Sequence, residues 1–303
     1  MPEPNLDTFS RAIIRVFPEL KTSSFRLMTA GWHSTAVDVD DRLVFKFPRH
    51  KVAERALLRE AALLALIRPC LSMPVPDMSI HEGPPLFSRH EKLKGERLLA
   101  ARYEELPEHA RQRLGNDLGR FYAELHRLDL NQMATAGAEP VGTWHALSAI
   151  RAKALPLLAP RLLASAEATL MAYESLPPDP HGTTFGFFDG HGWNMAFDHA
   201  RMRLNGLYDF ADSGIGALHQ EFIYSNFIAP DLTGRIVAAY EIATGRVLDR
   251  KRISILTGVH RLSELAELAD DPDHVPAMIR SVAEWFAAPH QRMAISRVRG
   301  DRR

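Results

Sequence analysis

Hydrophobic and polar residues change their period early in the chain. Residues 6–17 carry apolar side chains at helical spacing, whereas residues 24–48 alternate apolar and polar side chains around two breaks. The first pattern predicts a helix with Asp7 as its N-cap. The second predicts three strands, and the pair Asp40-Asp41 predicts the hairpin turn between the last two.

The segments that follow complete a small lobe. Residues 52–67 are rich in Ala, Leu, Glu and Arg, which favours a helix that ends before Pro69. Two further apolar runs predict two more strands before a break at Lys94-Gly95. One antiparallel sheet with a single helix is an α+β lobe, and we predict a nucleotide-binding lobe at residues 1–94.

The rest of the chain has a mostly helical pattern. Residues 147–176 predict a second helical region, and residues 131–142 predict a loop before it. Short strands are predicted at 193–197 and 204–210. We therefore predict a catalytic, substrate-binding helical lobe at residues 95–303. Its clearest buried stripe repeats at spacings of four, three, four and three: Leu114, Leu118, Phe121, Leu125 and Leu128.

Charge and cysteine content exclude several functional classes. Among the 303 residues, Lys plus Arg and Asp plus Glu are 37 each, so no net charge attracts nucleic acid or an anionic membrane. The one cysteine, Cys70, excludes an intramolecular disulfide framework. No signal-like segment or apolar run of membrane-spanning length is found. We expect a cytoplasmic globular protein without nucleic-acid or membrane partners, and its oligomeric state stays open.

A lysine in the third predicted strand is a candidate functional residue. Lys46 lies between Phe45 and Phe47, so its side chain faces the opposite side of the sheet. On a covered face a lysine needs a carboxylate, and Glu60 in the next helix can provide it. The alternative is an edge-strand lysine that reaches solvent.

A second candidate lies in the stretch FFDGHGWN. It holds Asp189 and Asn194 in a glycine-rich segment, and Asp209 ends a later predicted strand. A carboxylate and an amide oxygen can hold a divalent cation and position a hydroxyl, and magnesium prefers such oxygen ligands. The alternative is an Asp-Gly turn in which Asn194 caps a hairpin.

These residues occur in the order found in protein kinases: a strand lysine, a helix glutamate, then Asp, Asn and Asp. Over residues 24–240 the chain resembles the aminoglycoside phosphotransferase family of small-molecule kinases. The segments that carry the resemblance are TAGWHSTAVDVDDRLVFKFPR, LREAALLALIRP, LFSRHEKLKGERL, LGRFYAELHRLD, FFDGHGWNMAF and GLYDFADSGIGALHQEF. The resemblance implies the two-lobed protein-kinase-like fold, with a small antiparallel sheet in the first lobe and helices in the second.

The resemblance also implies an activity. The chain would transfer the γ-phosphoryl group of ATP or GTP to a hydroxyl of a small molecule, which is aminoglycoside-like, another antibiotic, a sugar or an amino alcohol. Asp189 would be the base or hydroxyl-orienting residue, and Asn194 and Asp209 the magnesium ligands. Lys46 would hold the nucleotide phosphates, with Glu60 orienting it.

Further nucleotide contacts are expected in two segments. Gly31 would let the backbone approach the phosphates, and Ser34 or Thr35 would donate hydrogen bonds to them. The hinge, with Glu91 and Leu93, would read the base.

Two features leave alternatives open. Phe187-Phe188 stand where the family usually has His-Gly, and Glu221 only approximates a usual aspartate. A kinase-shaped nucleotide-binding regulatory protein with reduced or no turnover is therefore the alternative function. A late acidic run is either a solvated helix face or an anionic wall for a polycationic substrate; its residues are Glu264, Glu267, Asp270 and Asp271.

Overall fold

The smaller lobe is a five-stranded antiparallel sheet with two helices. In this computed structural model, which describes residues 5–28 and 34–287, the strand order is β1-β2-β3-β5-β4. Helix α1 packs on one face of the sheet and α2 lies against the other. The elements are α1 (Leu6–Val16), β1 (Phe25–Met28), β2 (Ser34–Val39), β3 (Leu43–Pro48), α2 (Lys51–Ile67), β4 (Ser79–His81) and β5 (Phe87–Glu91).

The two faces of β3 follow the predicted alternation. Phe45 and Phe47 are buried in the cluster under α1, while Lys46 points to the α2 side. Asp40 and Asp41 form the turn between β2 and β3 with φ of 56° and 53°, a left-handed geometry that aspartate tolerates. The predicted strands and turn are therefore present.

The N-cap of α1 differs from the prediction. The side chain of Asn5 accepts a hydrogen bond from the backbone N–H of Asp7 at 2.9 Å, so Asn5 is the cap. Asp7 instead lies in the first turn, where its carboxylate interacts favourably with the helix dipole. Because Asn and Asp are equally good caps, the sequence pattern does not distinguish the two positions.

The larger lobe is mainly helical, with two small antiparallel pairs, β6–β9 and β7–β8. Within the described residues, every helix is too short or too polar to cross a bilayer. The strands are β6 (Thr183–Gly186), β7 (Met195–Asp198), β8 (Arg203–Leu207) and β9 (Gly214–Ala217). The helices are α3 (Ala100–Glu104), α4 (Glu108–Leu125), α5 (Leu130–Thr135), α6 (Leu147–Lys153), α7 (Pro160–Glu174), α8 (Pro230–Thr244), α9 (Arg250–Glu267) and α10 (Val275–Ala287).

Two elements of this lobe were not predicted. Part of the expected loop at 131–142 is α5, which is capped by Asp129 accepting from Gln132 N at 2.8 Å and buries Met133 in the core. The β6–β9 pair also escaped prediction, since its strands contain glycine and lack a clear alternation of apolar and polar residues.

Gly95 lies on the segment that connects β5 of the smaller lobe with α3 of the larger lobe. This residue has φ of +145°, and the next residue, Glu96, exchanges two backbone hydrogen bonds of 2.8 Å with Phe197 on β7. A Cβ added at Gly95 would lie 2.4 Å from the carbonyl carbon of Ala196. The connection between the lobes therefore depends on a residue without a side chain.

Replacing Gly95 by alanine is expected to lower the free energy of unfolding by about 1–3 kcal/mol, because an L residue is strained at this φ. Urea unfolding followed by circular dichroism measures the effect. The matched control is Gly142→Ala, where a Cβ would meet nothing within 4 Å. Equal midpoints for the two variants would contradict the prediction.

Candidate active site

Lys46 is held between two carboxylates at the cleft between the lobes. Its Nζ lies 3.1 Å from Glu60 Oε1 and 2.9 Å from Asp209 Oδ1. Burial on its own lowers the pKa of Lys46, but the charges of Glu60 and Asp209 outweigh it, and the net pKa is raised. The ammonium is therefore a permanent positive charge in the cleft, and the solvent-exposed alternative for Lys46 does not hold.

Glu60 also connects the two lobes. Its side chain is buried, and Oε1 accepts a hydrogen bond of 3.0 Å from the backbone N–H of Phe210 as well as contacting Lys46. A single carboxylate on α2 thus orients the strand lysine and the residue after Asp209 together.

The stretch from Phe187 to Asn194 forms a tight loop between β6 and β7. Asn194 Nδ2 donates to both the carboxylate Oδ2 of Asp189 at 2.7 Å and the carbonyl of Asp189 at 3.0 Å. His191 Nε2 lies 3.6 Å from Asp189 Oδ1. These contacts hold the carboxylate of Asp189 in place, and a simple hairpin cap does not describe the arrangement.

A buried glutamate anchors this loop from below. Glu221 is fully buried and accepts hydrogen bonds from the backbone N–H groups of Phe187 at 2.8 Å and Phe188 at 2.9 Å. His126 Nε2 lies 3.4 Å from the same carboxylate, and its Nδ1 lies 2.9 Å from the hydroxyl of Tyr240. Glu221 thereby stabilises the backbone directly before Asp189.

The β7–β8 hairpin brings Asp209 close to Asn194, the other candidate metal ligand. Asn194 immediately precedes β7, and the N–H of Tyr208 after β8 donates to the carbonyl of Asn194 at 3.0 Å. Asp209 follows Tyr208 with φ of 67°, which turns its side chain toward Lys46. Asn194 and Asp209 therefore lie at the open base of one hairpin.

The side chains at this base fit a magnesium ion. The amide nitrogen of Asn194 is engaged by Asp189, which leaves the amide oxygen as a ligand, and the side chain of Asp209 is 49% exposed. Within residues 5–28 and 34–287, no three His, Cys, Asp or Glu side chains form a metal site by themselves. Few protein ligands, supplemented by water and substrate phosphates, are what magnesium ordinarily uses.

The environment of Asp189 perturbs its ionisation. Burial raises the pKa of Asp189 well above its usual range, and the carboxylates of Asp212 and Asp209 add to this, while the Asn194 amide opposes it. Perturbed carboxylates in clefts are typical of functional sites. A divalent cation nearby would favour the ionised carboxylate.

The residues predicted to bind the nucleotide phosphates lie on different faces of the sheet. Ser34 lies on the sheet face of Lys46, whereas Thr35 pairs with Phe47 on the opposite face and accepts from Arg49 Nε at 3.2 Å. Gly31 lies outside the described residues.

The hinge joins β5 to the second lobe. Glu91 ends β5 and is exposed, and Leu93 extends toward β8, where a Cβ at Gly206 would meet its Cδ1 at 2.9 Å.

Two residues that the sequence did not single out share the face of Lys46. Ser88 pairs with Lys46 in register, and its buried hydroxyl has no partner among the described residues; His90 pairs with Val44 two positions on. Residues that pair across strands share a face, and so do residues two apart on one strand. Pairing the predicted strands in register would therefore have placed both residues on the face of Lys46.

The acidic run does not stay together. The side chain of Glu264 is 30% exposed and lies near enough to Asp189 to act on its ionisation. Glu267 is exposed at the end of α9, Asp270 is 3.5 Å from Lys153, and Asp271 bonds His274 at 2.8 Å. Glu264 therefore acts on Asp189. Burial raises the pKa of Glu264, and the charge of Glu267, one helical turn further along α9, adds to this shift.

Comparison with known protein families identifies the family of this chain. Residues 24–256 match the family model described as "Phosphotransferase enzyme family". The chain belongs to this family. Its resemblance to the aminoglycoside phosphotransferases and its phosphotransferase activity class, both predicted from sequence, are thereby confirmed.

Solved structures of the phosphotransferases share the fold. The GDP complex of wild-type aminoglycoside 2'-phosphotransferase-IIIa superposes with a TM-score of 0.80 at 22% identity, covering 94% of this chain and 99% of that one. The ADP-bound aminoglycoside phosphotransferase APH(2'')-Ib gives 0.62 at 17% identity, covering 93% and 97%. The macrolide 2'-phosphotransferase MphH from Brachybacterium faecium gives 0.62 at 18%, covering 92% and 98%. The predicted two-lobed fold is thus confirmed. A comparison with curated protein sequences found no match.

Proposed function

We propose that this phosphotransferase moves the γ-phosphoryl group of ATP or GTP to a hydroxyl of a small molecule. The observation that carries the proposal is the direct contact network in one cleft. Lys46 bonds Glu60 and Asp209, and Asn194 bonds Asp189. Phosphoryl transfer depends on positioning and charge neutralisation, which these groups supply.

Each of these residues has a role in the proposed reaction. Lys46 holds the phosphate oxygens, and Glu60 keeps its ammonium in place. Asn194 and Asp209 hold magnesium, which when bound neutralises charge on the β- and γ-phosphates. Asp189 orients the acceptor hydroxyl and accepts its proton. The hydroxyl oxygen bonds to the γ-phosphorus, and the bond from that phosphorus to the β–γ bridging oxygen breaks, leaving a phosphate ester and a nucleoside diphosphate.

The similar structures support a nucleotide as the phosphoryl donor. They do not distinguish ATP from GTP, because one holds GDP and another ADP. They also leave the acceptor open between aminoglycosides, macrolides and other alcohols. The acceptor panel for a test therefore includes antibiotics, sugars and amino alcohols.

Nucleoside diphosphate release is expected to depend on both an acceptor and magnesium. The purified chain is incubated with ATP or GTP and each acceptor, and release is followed by a coupled assay. Removing magnesium with EDTA should abolish release and excess magnesium should restore it, because the phosphates then lose and regain their charge partner.

Reactions without acceptor are the control for simple nucleotide hydrolysis. Magnesium-dependent nucleotide binding without release across the whole panel would contradict the proposal. It would favour the nucleotide-binding regulatory alternative.

A further inference from the structure

Arg59 connects helix α2 of the smaller lobe to the segment that follows Asp209. Its Nη2 donates a hydrogen bond of 2.9 Å to the carbonyl of Ala211, two residues after Asp209. Its Nη1 pairs with the carboxylate of Glu139, which lies in the loop between α5 and α6. One guanidinium on the smaller lobe therefore contacts two separate segments of the larger lobe.

Arg59 and its neighbour Glu60 hold the same segment by opposite backbone groups. Glu60 Oε1 accepts a hydrogen bond of 3.0 Å from the backbone N–H of Phe210, whereas Arg59 donates to the carbonyl of Ala211. The two residues directly after Asp209 are thus tied to α2 at both an N–H and a carbonyl group. The position of this segment relative to the smaller lobe therefore depends on α2.

The conformation of Asp209 depends on the residues around it. Its φ is 67°, in the left-handed region that a residue with a side chain adopts only at a cost in free energy. Such a conformation persists where the surrounding structure holds it in place. The hydrogen bonds to Phe210 and Ala211 act one and two residues further along the chain, so they are placed to give this support.

The two acceptors of Arg59 differ in the contact they offer. The side chain of Glu139 is 70% exposed, and an ion pair at such a site contributes little. The hydrogen bond to the Ala211 carbonyl is partly buried, and its donor carries a charge, which makes such bonds stronger than neutral ones. The contact with Ala211 is therefore the one that can hold the segment.

The loop that carries Glu139 is itself bonded to β9. The carbonyl of Glu139 accepts a hydrogen bond of 2.8 Å from the N–H of Ile215, and the N–H of Val141 donates to the carbonyl of Ile215 at 3.0 Å. Because β9 begins at Gly214, just beyond Ala211, the loop and the segment after Asp209 belong to one bonded region. Arg59 joins this region to α2.

We propose that Arg59 is a positioning residue, whose hydrogen bond to the carbonyl of Ala211 keeps Asp209 where it binds magnesium. The inference rests on the proposed kinase function, in which Asp209 is a magnesium ligand. Arg59 acts through the backbone after Asp209 and not by contact with the reacting atoms. Replacing groups that orient a metal ligand commonly weakens metal binding by about 10–100-fold.

Hydrogen–deuterium exchange of the full chain without magnesium or nucleotide tests the contact itself. Mass spectrometry follows peptides that span residues 209–213, where Phe210 N–H bonds Glu60 and Ser213 N–H donates to the carbonyl of Phe210 at 3.1 Å. Arg59→Met keeps an unbranched apolar stem and removes every donor. These amides are expected to exchange about tenfold faster in this variant, because a hydrogen bond from a charged group is lost.

Calorimetric titration with ADP at graded magnesium concentrations measures the effect on the site. Arg59→Met is expected to need about tenfold more magnesium than the parent for half-maximal ADP binding. Arg59→Lys should return to within about threefold of the parent, because lysine keeps a charged donor without the planar fork. Glu139→Gln should stay within about twofold, because it removes only the exposed ion pair.

Arg151→Met is the matched control. Arg151 on α6 also joins two acceptors, Glu167 at 2.9 Å and Glu174 at 3.1 Å, and its side chain is 32% exposed. Both partners lie on α7, so this variant loses similar ion pairs in contacts between α6 and α7. Its magnesium requirement and its exchange at residues 209–213 should equal those of the parent. Circular dichroism spectra check that each variant folds.

Several outcomes would overturn the role of Arg59. These are unchanged exchange at residues 209–213 in Arg59→Met, or a magnesium requirement within about twofold of the parent. A loss of equal size in Glu139→Gln would assign the effect to the ion pair, and one in Arg151→Met would assign it to general destabilisation.

The exchange measurement separates this proposal from the kinase function. If the parent showed no magnesium-dependent ADP binding, the proposed function would be contradicted. Faster exchange in Arg59→Met, with recovery in Arg59→Lys, would in that case still establish that Arg59 positions the segment after Asp209. Unchanged exchange beside normal magnesium-dependent binding would do the reverse.

Discussion

Asp189→Asn is expected to lower kcat by about 10²–10⁴-fold, the contribution typical of a positioned general base. The asparagine side chain has the same shape and can still accept the hydrogen bond that Asn194 Nδ2 donates at 2.7 Å. The loop should therefore keep its conformation, while the group that accepts the hydroxyl proton is lost. Acceptor-dependent release of nucleoside diphosphate measures kcat, and calorimetry should show nucleotide affinity within about twofold of the parent.

Asp231→Asn is the matched control, since Asp231 forms a partly exposed ion pair with Arg235 at 2.9 Å within α8. Its kcat should equal that of the parent. If Asp189→Asn kept kcat within tenfold, Asp189 would not be the proton acceptor, and the transfer would have to proceed on charge neutralisation by Lys46 and magnesium.

Glu221→Gln is expected to damage both stability and catalysis. The glutamate carboxylate receives two backbone N–H groups, from Phe187 and Phe188, with two oxygens. Glutamine has one oxygen, so an N–H group is left facing an amide NH₂, which costs about 1–3 kcal/mol at a buried site. Because Asp189 follows Phe188 directly, its displacement should lower kcat by up to about 10²-fold with a smaller change in KM.

Thermal unfolding and steady-state kinetics together measure the two effects. Glu241→Gln is the control: Glu241 also has a largely buried side chain and pairs with Arg250 at 2.7 Å, but it lies on α8 away from the loop. It should lose stability without losing kcat. A Glu221→Gln protein that is destabilised but has the parent kcat would show that Glu221 supports the fold and does not position Asp189.

The structure also accounts for the unusual residues before Asp189. Phe187 is fully buried between Phe210, at 4.7 Å between centroids, and Phe121, at 6.0 Å. Phe188 is buried with φ of 52°, and Glu221 holds the backbone of both. Packing and a buried carboxylate thus keep the loop in place where the family usually has His-Gly.

Local patterns were sufficient for much of this protein. Alternation around Phe45, Lys46 and Phe47 predicted both the strand and the direction of the lysine, since side chains on a strand face opposite sides. The turn at Asp40-Asp41 was equally local. The candidate site could be predicted because its residues lie in short motifs, and the order of these motifs along the chain matches the order in kinases.

Contacts between distant segments required the tertiary structure. Glu221 under the loop of Asp189 and Glu264 near Asp189 both lie far along the chain from that loop, and neither leaves a periodic signal that points there. The acidic run looked continuous in sequence, yet α9 ends at Glu267, so Glu264 and Glu267 are neighbours on the helix while Asp270 and Asp271 follow its end and pair with Lys153 and His274. Sequence periodicity reports which face of an element is buried, whereas the partner that covers it is decided by how the elements pack.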